Sequence, residues 1–491
     1  MLNVDNAQEL AQKIVRAIIG KMRASITMSD AYKFAMAQAG FPLREETFVL
    51  VFRKGGPLFN PFDLEAMVKT FLPESASVKE AAFLTANGYG LTPAMEKALT
   101  MSVKVKAAPK GTWIAPGTPV LTVTGPSFLV SWLEPFLIML NYPLQVATAA
   151  KKGVRDFDTT CPDQRQIVYL VGDAVGIPLG CKDDVDYIAN VRANVKATVA
   201  ALGGEAHRGF EVGLRAATCM QQHLMVLEVC REFGLLKTSN VYGAWLLYMI
   251  PVGTTGHEHQ MRWGGKYVED INGFRAIRDM RPEPPSYLFD TTNPIYRGIP
   301  AALQAMWENP ERPCSMRFDS GDQDAQFEAI LAGVKKDNLN PNLIFEDGYT
   351  AAKTVRNEAF CEQHNWPREK RMYGYGGFFV SQPAKTPYNR DAVSAAYKLS
   401  CTAGQAVMKF SGSPGKESIP GKPIVLRVFA PELNESAVIY LIAQEGEIGG
   451  DWDCQEPGPL DFIPEKIAVL KSAETINLIN QIQENLQKKA A

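Results

Sequence analysis

The sequence predicts an α/β protein in which an irregular (β/α) barrel-like domain is joined to a second α/β domain. Between residues 156 and 390, short apolar runs alternate with helical patterns, as parallel strands alternate with crossover helices. Polar clusters follow directly after predicted strands, where barrel folds collect their functional residues. We therefore assign 156–390 to the barrel-like domain, and 1–155 completed by 391–491 to the other domain.

The N-terminal part begins with apolar side chains at helical spacing over residues 8–23, which predict an amphipathic helix. Residues 47–52 (TFVLVF) predict a buried strand. Pro and Gly interrupt short apolar runs over 107–125, which predicts strands with turns, and residues 128–150 predict a long helix.

In the middle of the chain, helical patterns such as 215–233 and 326–334 separate the predicted strands. Those strands are 167–171, 248–252, 314–318, 343–345 and 371–374. Beyond residue 390, two strands (395–399 and 405–410) are predicted around a turn, and a polar amphipathic helix is predicted from about residue 464.

Composition argues against several classes of partner. The 491-residue chain has a formal net charge of −2, so no global field would draw it to nucleic acid or to an anionic membrane. No apolar stretch approaches the ~20 residues of a membrane span, and the first residues make a poor signal peptide. The eight cysteines include no C-x-x-C pair, so we expect reduced thiols in a cytoplasmic protein rather than a zinc site.

The first polar cluster is 317–322 (RFDSGD), at the end of a predicted strand. Two carboxylates, a hydroxyl and a glycine there suit a sugar diol, a bound Mg²⁺ or both; they belong to Asp319, Ser320, Gly321 and Asp322. The alternative is a turn with a capping aspartate, which any D-S-G sequence can form. The motif alone leaves both open.

A glycine-rich turn, 374–377 (GYGG), follows another predicted strand. Its backbone N–H groups and a following helix N-terminus can hold a phosphate, although such turns are common. Residues 411–416 (SGSPGK) could suggest a P-loop, but the glycine spacing is wrong and Pro414 removes a backbone donor. We reject that interpretation.

Two of the five histidines, His257 and His259, follow the predicted strand 248–252. A histidine beside Glu258 could act as acid, base or phosphoryl acceptor. A zinc pair is the competing idea, but no further Cys or His ligands lie nearby. Spacing alone favours a structural histidine in a loop.

Isolated charged residues are less specific. Arg208 and Arg215 could hold a carboxylate or phosphate, although single arginines more often form surface ion pairs. Asp30 could be a helix N-cap and Tyr32 a core aromatic. Composition and spacing therefore support an α/β enzyme that binds a phosphorylated sugar, and no more.

Taken in chain order, the clusters resemble the nicotinate phosphoribosyltransferase family. The similarity covers roughly residues 25 to 425, and the complete ordered set is far more specific than any one motif. The similar segments are 29–33 (SDAYK), 212–215 (VGLR), 238–241 (TSNV), 251–258 (PVGTTGHE), 319–322 (DSGD), 374–377 (GYGG), 397–399 (YKL) and 409–416 (KFSGSPGK).

The resemblance implies an enzyme that forms nicotinate mononucleotide and pyrophosphate from nicotinate and phosphoribosyl pyrophosphate, in NAD salvage. It implies a homodimer with shared active sites, Mg²⁺ near Asp319 and Asp322, and ATP as a co-substrate. His257 would be phosphorylated by ATP, which would couple ATP hydrolysis to product formation.

The resemblance also implies the site residues. His257, Asp319 and Arg317 would be catalytic. The residues that would hold the ribosyl group and its 5′-phosphate are Asp319, Ser320, Gly321, Asp347, Gly348, Gly376 and Gly377. Arg215 and Arg317 would neutralise phosphate or the pyridine carboxylate. Tyr32, in the same substrate-binding segment as Asp30, would stack on the pyridine ring of the neighbouring subunit.

Ser239 bears on the choice of base. Nicotinamide-using relatives carry an aspartate at the matching position, which would repel a carboxylate, whereas serine can donate to one. The serine therefore favours nicotinate. Val212 replaces an aromatic residue of the family, so a stacking partner for the pyridine is either missing or supplied by Phe210.

Three alternatives stay open. One is a nicotinamide phosphoribosyltransferase, and another is a catalytically silent relative that binds nucleotide. The third is an unrelated barrel hydrolase with Asp319 and Asp322 as its acid pair, which would make the other motifs coincidences.

Overall fold

A computed structural model describes residues 4–73, 75–264, 267–381, 387–410, 418–429, 438–447, 453–460, 462–464 and 466–487. The rejected P-loop segment 411–416 lies outside the described residues. Within these ranges, no helix is long and apolar enough to cross a membrane.

Helices cover much of the described chain. They are α1 (Val4–Ile19), α2 (Ala31–Gln38), α3 (Leu64–Phe71), α4 (Val78–Ala86), α5 (Pro93–Leu99), α6 (Ser127–Trp132), α7 (Glu134–Met139), α8 (Asn141–Lys151), α9 (Pro162–Val175), α10 (Tyr187–Ala201), α11 (Met220–Glu232), α12 (Val241–Leu247), α13 (His257–Met261), α14 (Tyr267–Asp279), α15 (Ile299–Trp307), α16 (Gln323–Asp337), α17 (Ala351–Gln363), α18 (Gly377–Val380), α19 (Arg390–Val393) and α20 (Ala473–Gln487).

The strands are short. They are β1 (Glu45–Phe52), β2 (Leu58–Phe59), β3 (Lys104–Ala107), β4 (Trp113–Ile114), β5 (Pro119–Pro126), β6 (Asp156–Thr159), β7 (Gly180–Asp183), β8 (Gly209–Glu211), β9 (Lys237–Thr238), β10 (Ile250–Pro251), β11 (Ser286–Leu288), β12 (Ser315–Phe318), β13 (Asn342–Phe345), β14 (Arg371–Tyr375), β15 (Ala395–Thr402), β16 (Gln405–Ala406), β17 (Pro423–Phe429), β18 (Val438–Gln444), β19 (Asp453–Gln455) and β20 (Ile467–Lys471).

The sheet that positions the candidate site has seven strands in the order β10-β9-β8-β14-β13-β12-β11. Every pairing in it is parallel. Helices α11, α12, α15, α16 and α17 connect successive strands. Because the strands are parallel, their carboxyl ends share one edge, where ligands bind in folds of this kind. The predicted α/β class with a barrel-like parallel sheet is confirmed.

A second sheet combines the two ends of the chain. Its order is β16-β15-β1-β5-β3, and it is antiparallel, with Phe48 of β1 opposite Leu399 of β15. Helices α6 and α7 contact this sheet, and residues 127–150, which span α6 to α8, are all buried. The predicted domain boundaries at 155 and 390 stay a prediction.

The predicted strand at 167–171 is wrong. These residues lie in α9, where Ile167, Val168 and Val171 are buried. Their spacing (i, i+1, i+4) is that of one helix face, and a five-residue apolar run does not distinguish such a face from a strand. The preceding Pro162 at the first helical position is the start signal that the prediction overlooked.

Other element boundaries also differ from the predictions. The single helix predicted over 128–150 is three consecutive short helices, and the strand predicted over 405–410 is limited to β16. The strand predicted at 248–252 shrinks to β10, because Tyr248 has a left-handed φ of 54°. The closing helix begins at Ala473, since strand β20 occupies part of its predicted range.

Candidate active site

Two adjoining cavities lie at the carboxyl edge of the parallel sheet. The inner cavity, of about 200 Å³, is lined by Tyr32, Glu134, Phe210, Val212, Arg215, Lys237, Ser239, Glu258, Arg317 and Glu346, among others. The outer cavity, of about 540 Å³, includes Asp290, Ser320, Gly321, Asp322, Asp347 and Lys409. His257, Asp319 and Lys398 line both, so they mark the junction.

His257 begins α13 at this junction and is buried. Its Nδ1 lies 3.0 Å from Thr291 Oγ1, and its Nε2 lies 3.0 Å from Asp319 Oδ2. Because a carboxylate can only accept, the bond to Asp319 requires the proton on Nε2. In that tautomer the lone pair of Nδ1 is free to accept from the threonine hydroxyl or to attack an electrophile.

Lys409 competes for the same nitrogen. Its Nζ lies 2.8 Å from His257 Nε2, and it is 3.0 Å from both Asp290 Oδ2 and Ser320 Oγ. An ammonium group can only donate, so its bond to Nε2 and the bond from Nε2 to Asp319 need different tautomers. Burial, and then the charge of Lys409, lower the pKa of His257 and keep the imidazole neutral.

Asp319 stays ionised at this junction. Burial alone would raise its pKa, but the hydrogen bond from His257 and the nearby positive charges of Lys409 and Arg317 lower it instead. His257, Asp290 and Asp319 have potential metal-ligating atoms within 4.8 Å of one another. Asp290 Oδ1 is buried and has no hydrogen-bond partner, so it can still serve as a ligand. Two carboxylates suit a hard cation such as Mg²⁺.

Asp322 plays a structural part. It is the N-cap of α16, and its side chain accepts from the backbone N–H groups of Asp324 and Ala325. Asp322 therefore behaves as the capping aspartate of the alternative interpretation, while Asp290 lies beside Asp319. The expectation of Mg²⁺ near Asp322 stays a prediction. Ser320 donates to Asp290 Oδ2, which ties the two loops together.

The far end of the inner cavity carries Arg215 and Ser239. Arg215 Nη1 lies 3.3 Å from Glu134 Oε1, and Arg215 Nε lies 3.7 Å from Asp30 Oδ2. Ser239 donates to Asp30 Oδ1 at 2.6 Å. Asp30 is buried and does not line the cavity, and burial raises the pKa of its carboxyl group. The arginine is thus the group that presents positive charge to a ligand here.

Tyr32 reaches the inner cavity from its own chain. Its hydroxyl donates to Glu134 Oε2 at 2.6 Å, and the Arg215 guanidinium lies 5.7 Å from its ring centroid. The aromatic ring therefore forms a wall of the cavity, together with Phe210 and Val212. The expectation that a neighbouring subunit supplies this tyrosine stays a prediction.

Behind Tyr32, a buried lysine holds two cavity carboxylates. Lys33 Nζ lies 2.5 Å from Glu134 and 2.6 Å from Glu258. Burial would raise the pKa of Glu258, but the charge of Lys33 lowers it to about 2. The positive charge of Lys33 therefore compensates the charges of both acids, so Arg215 keeps positive charge available to a ligand.

Arg317 lies on the floor of the inner cavity. Its Nε is buried without a hydrogen-bond partner and lies 3.9 Å from Glu346 Oε2. Burial raises the pKa of Glu346 to about 7. The negative charge of Asp319 also raises this pKa, whereas the positive charge of Arg317 lowers it. The register of β12 and β13 sets Asp319 beside Glu346, since Phe318 is opposite Phe345.

The glycines predicted for the sugar phosphate lie along the same edge. Asp347 and Gly348 follow β13 with φ values of 76° and 63°, and Gly376 and Gly377 follow β14. Asp347 lines the outer cavity, whereas Gly348, Gly376 and Gly377 line neither cavity. The structure brings the other predicted site residues together around the two cavities, with Asp30 buried directly behind Ser239.

A buried network fixes the two segments that carry Arg215 and Ser239. His223 Nε2 lies 3.0 Å from Glu211 Oε1, and Asn240 Nδ2 lies 2.9 Å from His223 Nδ1. The Glu211 carboxylate also accepts from the N–H of Gly213 and from the Thr238 hydroxyl. Since Gly213 precedes the turn Leu214–Ala216, this network holds the Arg215 backbone against the barrel.

Two charged residues singled out in the sequence are structural. Arg208 is buried and lies 2.9 Å from both Glu205 and Glu358, away from either cavity. His259 Nε2 donates to the carbonyl of Gly273 at 2.8 Å, and burial lowers its pKa to about 4. Neither residue lines either of the two cavities.

Although Lys398 and Lys409 lie in two of the similar segments, 397–399 and 409–416, the sequence analysis assigned no role to several site residues. They are Glu134, Asp290, Thr291, Glu346, Lys398 and Lys409. Asp290 and Thr291 follow β11, a strand that was not predicted, and Glu346 directly follows the predicted strand 343–345. The rule that polar residues at strand ends form the site would have found Glu346, whereas Asp290 and Thr291 follow a strand too short to be predicted. Glu134 lies on α7 and had no local signal, whereas Lys398 lies in the predicted strand 395–399, whose pattern does not show that this side chain reaches the cavity.

The fold and the site define a class: an α/β protein whose parallel strands end at two adjoining cavities lined by arginine, aspartate and aromatic side chains. Comparisons with known proteins agree. Nicotinate phosphoribosyltransferase 2 of Arabidopsis thaliana is 32% identical over 465 residues, which cover 87% of this chain and 78% of that protein. The chain belongs to the nicotinate phosphoribosyltransferase family.

Less similar relatives are also nicotinate phosphoribosyltransferases. The nicotinate phosphoribosyltransferase of Caenorhabditis elegans is 24% identical over 410 residues, and the human one is 22% identical over 396 residues. The chain spans 66% and 63% of the lengths of these two proteins. A scan of the sequence against protein-family models matches none.

Solved structures support the fold. The crystal structure of the Porphyromonas gingivalis nicotinate phosphoribosyltransferase aligns with a TM-score of 0.57 and 19% identity, covering 80% of this chain and 96% of that one. The Vibrio cholerae enzyme gives a TM-score of 0.58 at 17% identity, covering 82% and 92%. At these identities the likeness shows the fold alone.

Proposed function

We propose that this protein is a nicotinate phosphoribosyltransferase that couples ATP hydrolysis to the formation of nicotinate mononucleotide through a phosphohistidine at His257. The observation that carries the proposal is the position of His257, held by Asp319, at the junction of the two cavities. Family membership supplies the reaction class and its place in NAD biosynthesis.

The inner cavity suits the pyridine. Tyr32 and Phe210 offer aromatic walls, and Arg215 offers a guanidinium to the substrate carboxylate. The ring nitrogen of nicotinate carries a lone pair and no proton at neutral pH, so its attack on C1 of the sugar needs no general base. The site must instead align the two reactants and stabilise positive charge that develops at the sugar. Asp319, ionised at the junction, suits that second task.

The outer cavity suits phosphate-bearing substrates. Ser320, Gly321 and Asp347 line it for the ribosyl group, and Lys409 contributes positive charge for phosphate. At the same edge, Gly348 lies beside Asp347 for the sugar, and Gly376 and Gly377 follow β14 for the 5′-phosphate. Asp290 and Asp319 would hold Mg²⁺, which when bound neutralises charge on the departing pyrophosphate.

His257 suits phosphoryl transfer from ATP. With the proton on Nε2 and held by Asp319, the Nδ1 lone pair attacks the γ-phosphorus, and the bond to the ADP oxygen breaks. The positive charge left on the imidazolium is stabilised by the Asp319 carboxylate. The lowered pKa of His257 keeps it neutral, and therefore nucleophilic, near neutral pH.

A nicotinamide phosphoribosyltransferase is the second candidate. The observation that favours it is the Asp30 carboxylate, bonded to Ser239 beside the cavity, because a buried acid there disfavours a second carboxylate. Arg215 and the curated relatives favour nicotinate instead. We further propose that the protein is cytoplasmic and that it forms a homodimer. Sedimentation of the purified protein would test the dimer.

The deciding experiment offers nicotinate or nicotinamide with phosphoribosyl pyrophosphate and Mg²⁺, each with and without ATP. We expect mononucleotide from nicotinate only, with a rate that ATP raises and with ADP released. In the His257→Ala variant the ATP stimulation should disappear while some basal transfer survives. The matched control is His207→Ala, since His207 is exposed and lines neither cavity.

Each other outcome overturns one part of the proposal. Product from nicotinamide alone would refute the choice of base, and unchanged ATP stimulation in His257→Ala would refute the phosphohistidine. No product from either base would identify a silent relative.

A further inference from the structure

Two segments with the same sequence pattern, T-C-x-x-Q, lie against each other beside the barrel. They are Thr160–Gln164 and Thr218–Gln222, and we call them the paired T-C-x-x-Q motif. Each cysteine is the N-cap of a helix, Cys161 of α9 and Cys219 of α11. Their backbones are nearly identical, with φ −157° and ψ 162° for Cys161 and φ −157° and ψ 166° for Cys219.

Hydrogen bonds make the arrangement reciprocal. Within each segment the glutamine Oε1 accepts from the threonine N–H and hydroxyl, at 2.5 and 2.9 Å for Gln164 and at 2.9 and 3.0 Å for Gln222. Between the segments, Gln164 Nε2 donates to Thr218 Oγ1 and Gln222 Nε2 donates to Thr160 Oγ1, both at 3.1 Å. The motif therefore has a local two-fold symmetry.

The two sulfur atoms lie where that two-fold axis passes. Cys161 Sγ and Cys219 Sγ are 3.5 Å apart, and both residues are buried. A disulfide needs a separation of about 2.05 Å, so closure requires a shared movement of about 1.5 Å. The hydrogen bonds between the two segments hold these two thiols face to face.

We propose that Cys161 and Cys219 are a redox-modification site, which forms a reversible disulfide when a hydroperoxide oxidises the protein. The Cys161 thiolate attacks one oxygen of hydrogen peroxide, the O–O bond breaks, and a sulfenic acid and hydroxide form. The Cys219 sulfur then attacks the sulfenic sulfur, and the S–O bond breaks. Two thiols and one hydrogen peroxide give one disulfide and two waters.

The order of attack follows from the surroundings of the two thiols. The hydrogen bond from Cys219 lowers the pKa of Cys161, and the backbone N–H of Gln164 lowers it further. Burial raises this pKa but does not outweigh the two hydrogen bonds. Burial raises the pKa of Cys219. Cys161 is therefore the first nucleophile, and Cys219 resolves the sulfenic acid.

The disulfide between Cys161 and Cys219 would link a peripheral unit covalently to the barrel. Residues 156–201 form β6, α9, β7 and α10, while Cys219 begins α11, which follows the turn that carries Arg215. A cross-link there closes a loop between residues 58 positions apart and restricts the unfolded chain. The formation of this bond does not depend on the proposed function, so either can fail without the other.

The test treats the purified full-length protein with hydrogen peroxide, blocks remaining thiols with N-ethylmaleimide, and maps peptides by mass spectrometry without reduction. We expect one peptide pair that joins Cys161 to Cys219, with the loss of two hydrogens, and its disappearance after dithiothreitol. The oxidised protein should also melt at a higher temperature than the reduced protein.

Matched variants control the result. Cys161→Ser and Cys219→Ser should each abolish both the cross-link and the shift in melting temperature, whereas Cys361→Ser, at another buried thiol, should leave both intact. The partly exposed Cys181 reports that peroxide has acted. A cross-link from Cys161 to Cys181, or free Cys161 and Cys219 after Cys181 is fully oxidised, would overturn the proposal.

Discussion

Ser239 donates its hydroxyl hydrogen to Asp30 Oδ1 at 2.6 Å, so the donor of this serine is already used in a hydrogen bond within the protein. A hydroxyl has a single hydrogen to donate, and while Asp30 holds it Ser239 can only accept from a ligand. The sequence argument that Ser239 donates to the nicotinate carboxylate therefore needs correction. We expect Arg215, which lies between Asp30 and Glu134, to perform that task instead.

The Ser239→Ala variant separates these two interpretations. Removing the hydroxyl leaves the buried Asp30 without its short hydrogen bond, so we expect a loss of about 1–3 kcal/mol in the free energy of unfolding. The KM for nicotinate should change by less than about threefold, because the lost bond is internal. Urea unfolding and steady-state kinetics check this. A tenfold rise in KM with unchanged stability would restore a direct contact with substrate.

The Arg215→Gln variant should weaken binding of the pyridine acid. The loss of a charge-assisted bond of about 1.5–3 kcal/mol predicts a rise in KM for nicotinate of roughly 10- to 150-fold. The matched control is Arg192→Gln, which breaks a surface pair with Glu232 and should leave KM unchanged. Initial rates at varied nicotinate concentration measure the effect, and equal KM values in the two variants would contradict it.

The Thr291→Val variant tests the orientation of His257. Thr291 Oγ1 lies 3.0 Å from His257 Nδ1, and valine keeps the shape of the side chain but removes this contact. We expect ATP stimulation to fall about fivefold, the equivalent of about 1 kcal/mol, while basal transfer persists. Thr291→Ser keeps the hydroxyl and should restore the stimulation. If both variants lose it equally, the hydroxyl is not the cause.

Glu346 gives a pH-dependent contribution to stability. Burial raises its pKa from 4.5 to about 7, so between these values the folded protein keeps a proton that the unfolded chain has released. The stability that it contributes is full below pH 4.5 and is lost as the pH rises through 7. Glu346→Gln mimics the protonated form, so it should stabilise the protein more at pH 8 than at pH 5.5, by about 2 kcal/mol.

Urea unfolding at the two pH values measures that difference. Glu328→Gln is the control, since this side chain is exposed and no pH-dependent gain is expected from it. A gain from Glu346→Gln that is the same at pH 5.5 and pH 8 would refute the raised pKa.

Short apolar runs in the sequence were enough to predict some of the strands. Strands β12, β13 and β14 were predicted to within one residue at either end, because each is a short apolar run that ends at polar or glycine residues. Strands β8, β9 and β11 were missed, because runs of two or three residues carry too little periodicity. The four-stranded sheet β19-β17-β18-β20 was overlooked, although the apolar, β-branched runs of β17 and β18 carry a local strand signal.

The sequence by itself determined the α/β class, the family resemblance, and the placing of His257 and Asp319 after strands. The T-C-x-x-Q pattern is also visible twice in the chain. Only the tertiary structure showed that Lys409 contacts His257, that Asp30 accepts a hydrogen bond from Ser239, and that Cys161 faces Cys219. These pairs are 152, 209 and 58 positions apart, and such contacts depend on how helices and sheets pack, which no local periodicity encodes.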